Sequence, residues 1–205
     1  IHIIWIVLSL MMIGCKKNVS LENGDVIMID VAKDGYSQKE IILQDFMDVE
    51  YIPLETTDEF LCMGSLWGVG KDIIVATNFN SDGNIFIFDR KGKALKKINR
   101  KGQGNEEYSS YSRIILDEEK REIFVNNSFA KKIQVYDLEG NFKRDLPIQK
   151  ELSLFEMYNF DKDNLICHDD FPRNTGQSFM LISKQDGSIT QEITIPFKEK
   201  KSIYV

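Results

Sequence analysis

His168-Asp169-Asp170 sets an imidazole beside two carboxylates, groups that could hold a metal ion or pass a proton. The only other histidine, His2, lies in an apolar N-terminal run, so this chain cannot assemble a multi-histidine site. Asp161-Lys-Asp163-Asn164 has the first spacing of a calcium loop but lacks its glycine and distal bidentate glutamate, and reads as a solvated turn. Gly102-x-Gly104 has the spacing of a phosphate-cradling loop. Strand-like sequence follows it where an anion site would need a helix N-terminus, so it reads as a turn. Tyr108, Tyr111, Phe129 and Phe171 fall between strand-like segments and could stack on a sugar ring, although aromatics so placed more often pack in a core. The chain has no Gly-x-Ser-x-Gly elbow, no His-Glu-x-x-His and no Cys/His nucleophile pair. Its many carboxylates make an acid–base pair only where a fold fixes their separation. The sequence therefore assigns no catalytic residue, no metal and no cofactor.

Cys15 is different, because its surroundings specify a modification. Residues 1–14 carry no Lys, Arg, Asp or Glu and form an apolar run closed by Gly14. The run is shorter than the ~20 residues a membrane span requires and has the length of a signal-peptide core. With Lys16-Lys17-Asn18 after it, the cysteine resembles a bacterial lipobox, in which the thiol is lipidated and the chain is cut before it. The expected partition is a signal peptide at 1–14 and a lipidated polar tether at 15–24. Cys62 and Cys167 lie in apolar, strand-like surroundings; a disulfide between them would suit an oxidising envelope, but the sequence does not supply the distance it demands, and they read as two buried free thiols.

The elements that position everything else are short. From about residue 25, segments rich in Ile, Val, Phe and Tyr alternate with Gly, Asn and Asp clusters, the pattern of strands joined by tight turns. One hairpin recurs: Ile85-Phe-Ile-Phe-Asp89-Arg-Lys-Gly92, Ile133-Gln-Val-Tyr-Asp137-Leu-Glu-Gly140 and Met180-Leu-Ile-Ser-Lys-Gln-Asp-Gly187. The glycines are spaced by 48 and then 47 residues, and a short apolar strand precedes each hairpin, at Ile73, Ile123 and Leu165. Four strands in a unit of this length is the signature of a propeller blade. Each glycine suits a turn with positive φ, and Asp89 and Asp137 can accept hydrogen bonds from the turn amides. A β-helix would have much shorter rungs, and a sandwich would not repeat its hairpin at a fixed period.

The predicted fold is thus all-β, a β-propeller of four-stranded antiparallel blades. About three blades, and at Ser202-Ile-Tyr-Val the start of a fourth, fit into residues 61–205, behind a strand-like prelude at 25–60. A propeller protects its edges by closure, which predicts a longer polypeptide whose last blade is completed by part of residues 40–56. The absence of an initiating Met and of a basic stretch before the apolar run agrees with that expectation. A net charge of −6 argues against nucleic acid as a partner.

Asp48-Val-Glu-Tyr-Ile-Pro-Leu-Glu-Thr-Thr57 resembles the opening of the six-bladed β-propeller lipoproteins of Bacteroides and relatives. Lys101-Gly102-Gln-Gly104-Asn-Glu-Glu-Tyr108 is similar to their Gly-x-Gly-Pro-Gly-Glu-Tyr motif, which is akin to the NHL-repeat signature, with Asn105 and Glu106 replacing the proline and the second glycine. The likeness runs from the lipobox to the end of the chain. It implies a ring of six blades in a protein about twice as long, held by its lipid in the bacterial cell envelope. In that phylum, acidic residues close behind the lipidated cysteine are thought to direct export to the cell surface. Lys16-Lys-Asn-Val-Ser20 has none, which implies an outer-membrane anchor facing the periplasm. The functional expectation is a non-catalytic platform for a protein or glycan; the rival is an envelope lyase or hydrolase acting on carbohydrate or peptide in the central channel.

Overall fold

The computed structural model describes residues 40–79, 82–154, 156–169 and 177–194. Cys15 with its tether, Asp170, Phe171 and Ser202–Val205 therefore lie outside the described residues. The chain divides into two compact units, Ile1–Val49 and Glu50–Val205. The described part of the first holds a single 3-10 turn at Leu43–Asp45, all of it exposed.

The described residues of the second unit form twelve strands in three sheets. The first sheet comprises β1 (Ser65–Val69), β2 (Ile73–Thr77), β3 (Asn84–Asp89) and β4 (Ala94–Asn99). The second holds β5 (Arg113–Asp117), β6 (Glu122–Asn127), β7 (Lys132–Asp137) and β8 (Phe142–Pro147). The third holds β9 (Met157–Asn159), β10 (Asn164–His168), β11 (Gln177–Ser183) and β12 (Ile189–Thr194). Within each sheet every strand is antiparallel to the next in sequence. Between sheets, first strand meets first strand: β1 lies beside β5, and β5 beside β9. The result is an all-β, propeller-like arrangement.

Burial explains the composition of the strands. One apolar layer joins Ile73, Val75, Ile85 and Ile87 of the first sheet to Ile114, Ile123, Val125 and Tyr136 of the second. Another joins Phe124, Ile133 and Val135 to Leu165, Cys167, Met180 and Ile182 of the third. β2 and β6 are covered on both faces, and their centres, Ile73–Ala76 and Ile123–Val125, are unbroken apolar runs, whereas β4 and β8, the outermost strands, alternate exposed and covered residues. Burial pushes the Cys167 thiol up to about 12, and Cys167 and Cys62 are both free.

Residues 40–56, strand-like in sequence, form no strand. A strand needs a partner edge, and Ile52 and Leu54 meet the face of a sheet instead. Ile52, Leu54, Phe60 and Cys62 pack over Ile74, Ala76, Phe86 and Phe88. The chain is fastened there by Glu55 N–H donating to the Gly92 carbonyl at 2.7 Å.

The hairpins are closed by side chains. Asp89 Oδ1 accepts from the amides of Lys91 and Lys93, and Asp137 Oδ1 from those of Glu139 and Asn141. In the third hairpin Ser183 takes that position, with its Oγ accepting from Gln185 N–H. Gly92, Gly140 and Gly187 have φ of +83°, +86° and +77°. Gly102 and Gly104 lie in the turn from β4 to β5, where Glu107 Oε2 accepts from the Gly104 amide and Tyr108 is fully buried. The Tyr108 hydroxyl donates to the Gly83 carbonyl at 2.6 Å, and burial pushes the phenol up to about 12.

Charged side chains fix one sheet to the next. Lys184, on the third hairpin, is fully buried and places Nζ 2.6 Å from Asp117 Oδ2 at the end of β5. Its Nζ also donates to the Asp161 carbonyl. Arg144 grips Glu122 with two bonds of 2.8 Å and reaches the Lys184 carbonyl. Burial alone would raise Glu122, but Arg144 and Lys143 outweigh it and hold its carboxyl at about 2. Between the first and second sheets, Glu118 accepts from the amides of Lys71 and Asp72.

Candidate functional site: a cleft along the first strands

The meeting of β1, β5 and β9 leaves a cleft of about 740 Å³ that runs the length of β5. Each of these strands hydrogen-bonds on one side only, so the cleft is bordered by strand edges rather than by a paired sheet. Its centre is a row of side chains drawn from all three sheets.

Trp67 comes from an irregularity in β1. Leu66 pairs with Ala76 and Gly68 with Val75, leaving Trp67 as the extra residue of a bulge, a device that re-aims a side chain. Its indole Nε1 donates to Thr77 Oγ1 at 2.8 Å, and its ring stands edge-on to Tyr111. Arg113, the first residue of β5, lies with its guanidinium carbon 5.7 Å from the Trp67 ring centre and 4.5 Å from that of Tyr158 in β9. Arg113 Nε donates to the Met157 carbonyl, and Nη1 stands 3.3 Å from Glu156 Oε2. The Tyr158 hydroxyl donates to the same Glu156 oxygen at 2.7 Å. A cation between two aromatic faces, with a carboxylate beside it, is equipped for stacking and hydrogen bonding.

At the other end of the cleft three acidic groups, Asp117, Glu118 and Asp161, serve the fold. Asp117 is paired with Lys184, and Glu118 is held below the usual carboxylate range because the Asp72 and Lys71 amides outweigh the effect of its burial. Asp161 lies below that range too, its Oδ1 accepting from the amides of Asp163 and Asn164, so the calcium-like spacing builds a turn.

The aromatic residues singled out by sequence are not those that form the row. Tyr108 is buried, Tyr111 is partly buried against Trp67 and Tyr108, and Phe129 is 86% exposed on the turn between β6 and β7. His168 packs on Phe179 at 5.0 Å, and Asp169 accepts from the Ser153 amide. Trp67, Arg113, Glu156 and Tyr158 were missed, although a signal existed. The steps from 67 to 113 and from 113 to 158, 46 and 45 residues, lie close to the hairpin repeat.

A family model described as a domain of unknown function, DUF4934, matches residues 26–205. The chain belongs to the DUF4934 family. No curated protein matches the chain in sequence. Among solved structures, this DUF4934 chain is similar to a Bacteroides fragilis NCTC 9343 protein described as exported, with a TM-score of 0.56 and 17% identity over 73% of this chain and 43% of that one. A member of the DUF4221 family from Bacteroides vulgatus matches with a TM-score of 0.49 and 10% identity, over 60% of this chain and 40% of the other. Virginiamycin B lyase of Staphylococcus aureus matches with a TM-score of 0.44 and 16% identity, over 64% and 41%. The chain thus spans about two-fifths of each of these structures. The likeness to the Bacteroides fragilis protein is one of fold.

Proposed function

We propose that this DUF4934 chain belongs to a lipid-anchored protein of the bacterial cell envelope, a closed six-bladed ring that acts as a non-catalytic binding platform. In this reading Cys15 carries the lipid, and a protein or glycan ligand is received in the cleft along the first strands. The observation that carries it is the row Trp67, Arg113 and Tyr158, three side chains from three sheets meeting in one cleft. Such a row is costly to build by chance, since Trp67 reaches it through a bulge. Its polar atoms engage in stacking and hydrogen bonding, which suits recognition. The ring closes, in the same proposal, by adding strands beside residues 50–56 over the first sheet.

Two measurements bear on this. Replacing Cys15 with Ser should move the protein from the membrane fraction to the soluble one; unchanged membrane association would exclude the lipid anchor. The ligand reading is tested on an array carrying neutral oligosaccharides, acidic oligosaccharides and short peptides. Binding to at least one class is expected, weakened by Trp67→Ala and by Arg113→Ala and unchanged by Leu95→Ala, which alters an exposed residue of β4. Silence across the whole array, or binding indifferent to Trp67 and Arg113, would overturn the platform.

A further inference from the structure

We infer that the cleft takes an uncharged oligosaccharide of pyranose type, a conclusion that rests on the cleft being the ligand site. The first reason is charge. Arg113 is answered by Glu156, Asp117 by Lys184, and the carboxylates of Glu118 and Asp161 are occupied by backbone amides. Lys71, Glu119 and Lys162 also line the cleft, at the end where Asp117, Glu118 and Asp161 lie. Beside Trp67 and Tyr158, however, the one charge, that of Arg113, is answered by Glu156, so a uronate, a sulfated sugar or a charged peptide seated on the rings would bury a charge with no free partner there.

The second reason is the shape of the borders. An extended peptide would bind by adding a strand to an exposed edge, which needs a regular run of amides and carbonyls. Here β1 is interrupted at Trp67, β9 has three residues and β5 has five. The edges are too short and irregular for a ladder. They still present isolated donors and acceptors, and a sugar hydroxyl, being both, can use either.

The third reason is the pair of rings. Trp67 is partly buried and Tyr158 is 52% exposed, so each has ring surface left after its contact with Arg113. A pyranose has an apolar C–H face that covers an aromatic ring while its hydroxyls point sideways to polar groups. Arg113 lies between the rings with Glu156 paired beside it, so the guanidinium can donate to a sugar hydroxyl while its charge stays balanced. The volume of 740 Å³ lies within the range of about 300–1,000 Å³ usual for small-ligand clefts and exceeds what one sugar ring fills, so several residues of a chain would be held.

The experiment is isothermal titration of the purified protein with tetrasaccharides of glucose, xylose and mannose, with tetragalacturonate, and with a Gly-Ser tetrapeptide. At least one neutral tetrasaccharide should bind more tightly than tetragalacturonate and the peptide. Tyr158→Ala should weaken that binding by roughly tenfold, the loss expected for an aromatic face, while Tyr158→Phe stays near the parent value. Unchanged thermal unfolding of both variants would separate the lost face from lost structure. If tetragalacturonate or the tetrapeptide binds more tightly than every neutral sugar and depends on Trp67, the sugar class is wrong and the platform stands. If no probe binds, the sugar class is overturned, and the platform falls only if the wider array is silent as well. Neutral-sugar binding that survives Tyr158→Ala would also overturn the inference.

Discussion

Lys184→Met is expected to lower the unfolding free energy by about 3–5 kcal/mol, among the largest losses any single side chain here can cause. The side chains of Lys184 and Asp117 are 1% and 4% exposed, so removing the ammonium leaves a buried carboxylate without its counter-charge, held only by the Lys120 amide. The Asp161 carbonyl loses a donor in the same step. Met nearly matches Lys in length, so the loss does not come from a cavity. The pair's own worth is a separate matter. Taking two ions out of water costs nearly what their attraction returns, so Asp117→Leu combined with Lys184→Met should recover most of the stability. Urea denaturation of the two single variants and the double variant measures the coupling. A loss under 1 kcal/mol for Lys184→Met would mean that water reaches Asp117 and that the pair does not lock the third sheet to the second.

That pair also marks the boundary of what could be read from residue order. The hairpins were legible because a glycine with positive φ and an alternating strand recur at a near-constant interval, and the third was found even though Ser183 stands in for the aspartate. The second strands of the first two sheets were legible because burial on both faces leaves an unbroken apolar stretch in each, Ile73–Ala76 and Ile123–Val125. Lys184 was not legible: a lysine beside a turn glycine looks solvated, and its partner is 67 positions away, so only the stacking of sheets reveals the burial. Trp67 escaped for a related reason. A bulge is a mismatch between two strands, which neither strand shows by itself. Strand propensity describes fitness for a half-buried surface, and within this chain Ile52 and Leu54 meet it by covering a sheet. The row in the cleft lies between these cases, since its spacing follows the repeat while its orientation depends on the bulge.

Gly92→Val is expected to cost more than the same change at Gly140, and the difference measures what holds residues 52–62 in place. Both glycines have φ near +85°, so a β-branched residue pays about 1–2 kcal/mol of backbone strain at either. Their surroundings differ. A Cβ on Gly140 would come within 2.9 Å of Ile98 Cγ2, the end of a side chain that can turn away. A Cβ on Gly92 would lie 2.0 Å from the Pro53 carbonyl oxygen, a backbone atom that moves only if the segment moves. Displacing it breaks the bond from Glu55 N–H to Gly92 and uncovers Phe86 and Phe88, so the total should reach about 3–4 kcal/mol and lower the melting temperature by roughly 10 °C. The cysteines report where the damage falls. Cys62 belongs to the displaced segment and should react faster with a thiol reagent in Gly92→Val, whereas Cys167, buried between the second and third sheets, should keep its parent rate. Equal melting temperatures for the two valine variants, with Cys62 no more reactive, would show that the covering segment is held by its apolar side chains and that its contact with the hairpin contributes nothing.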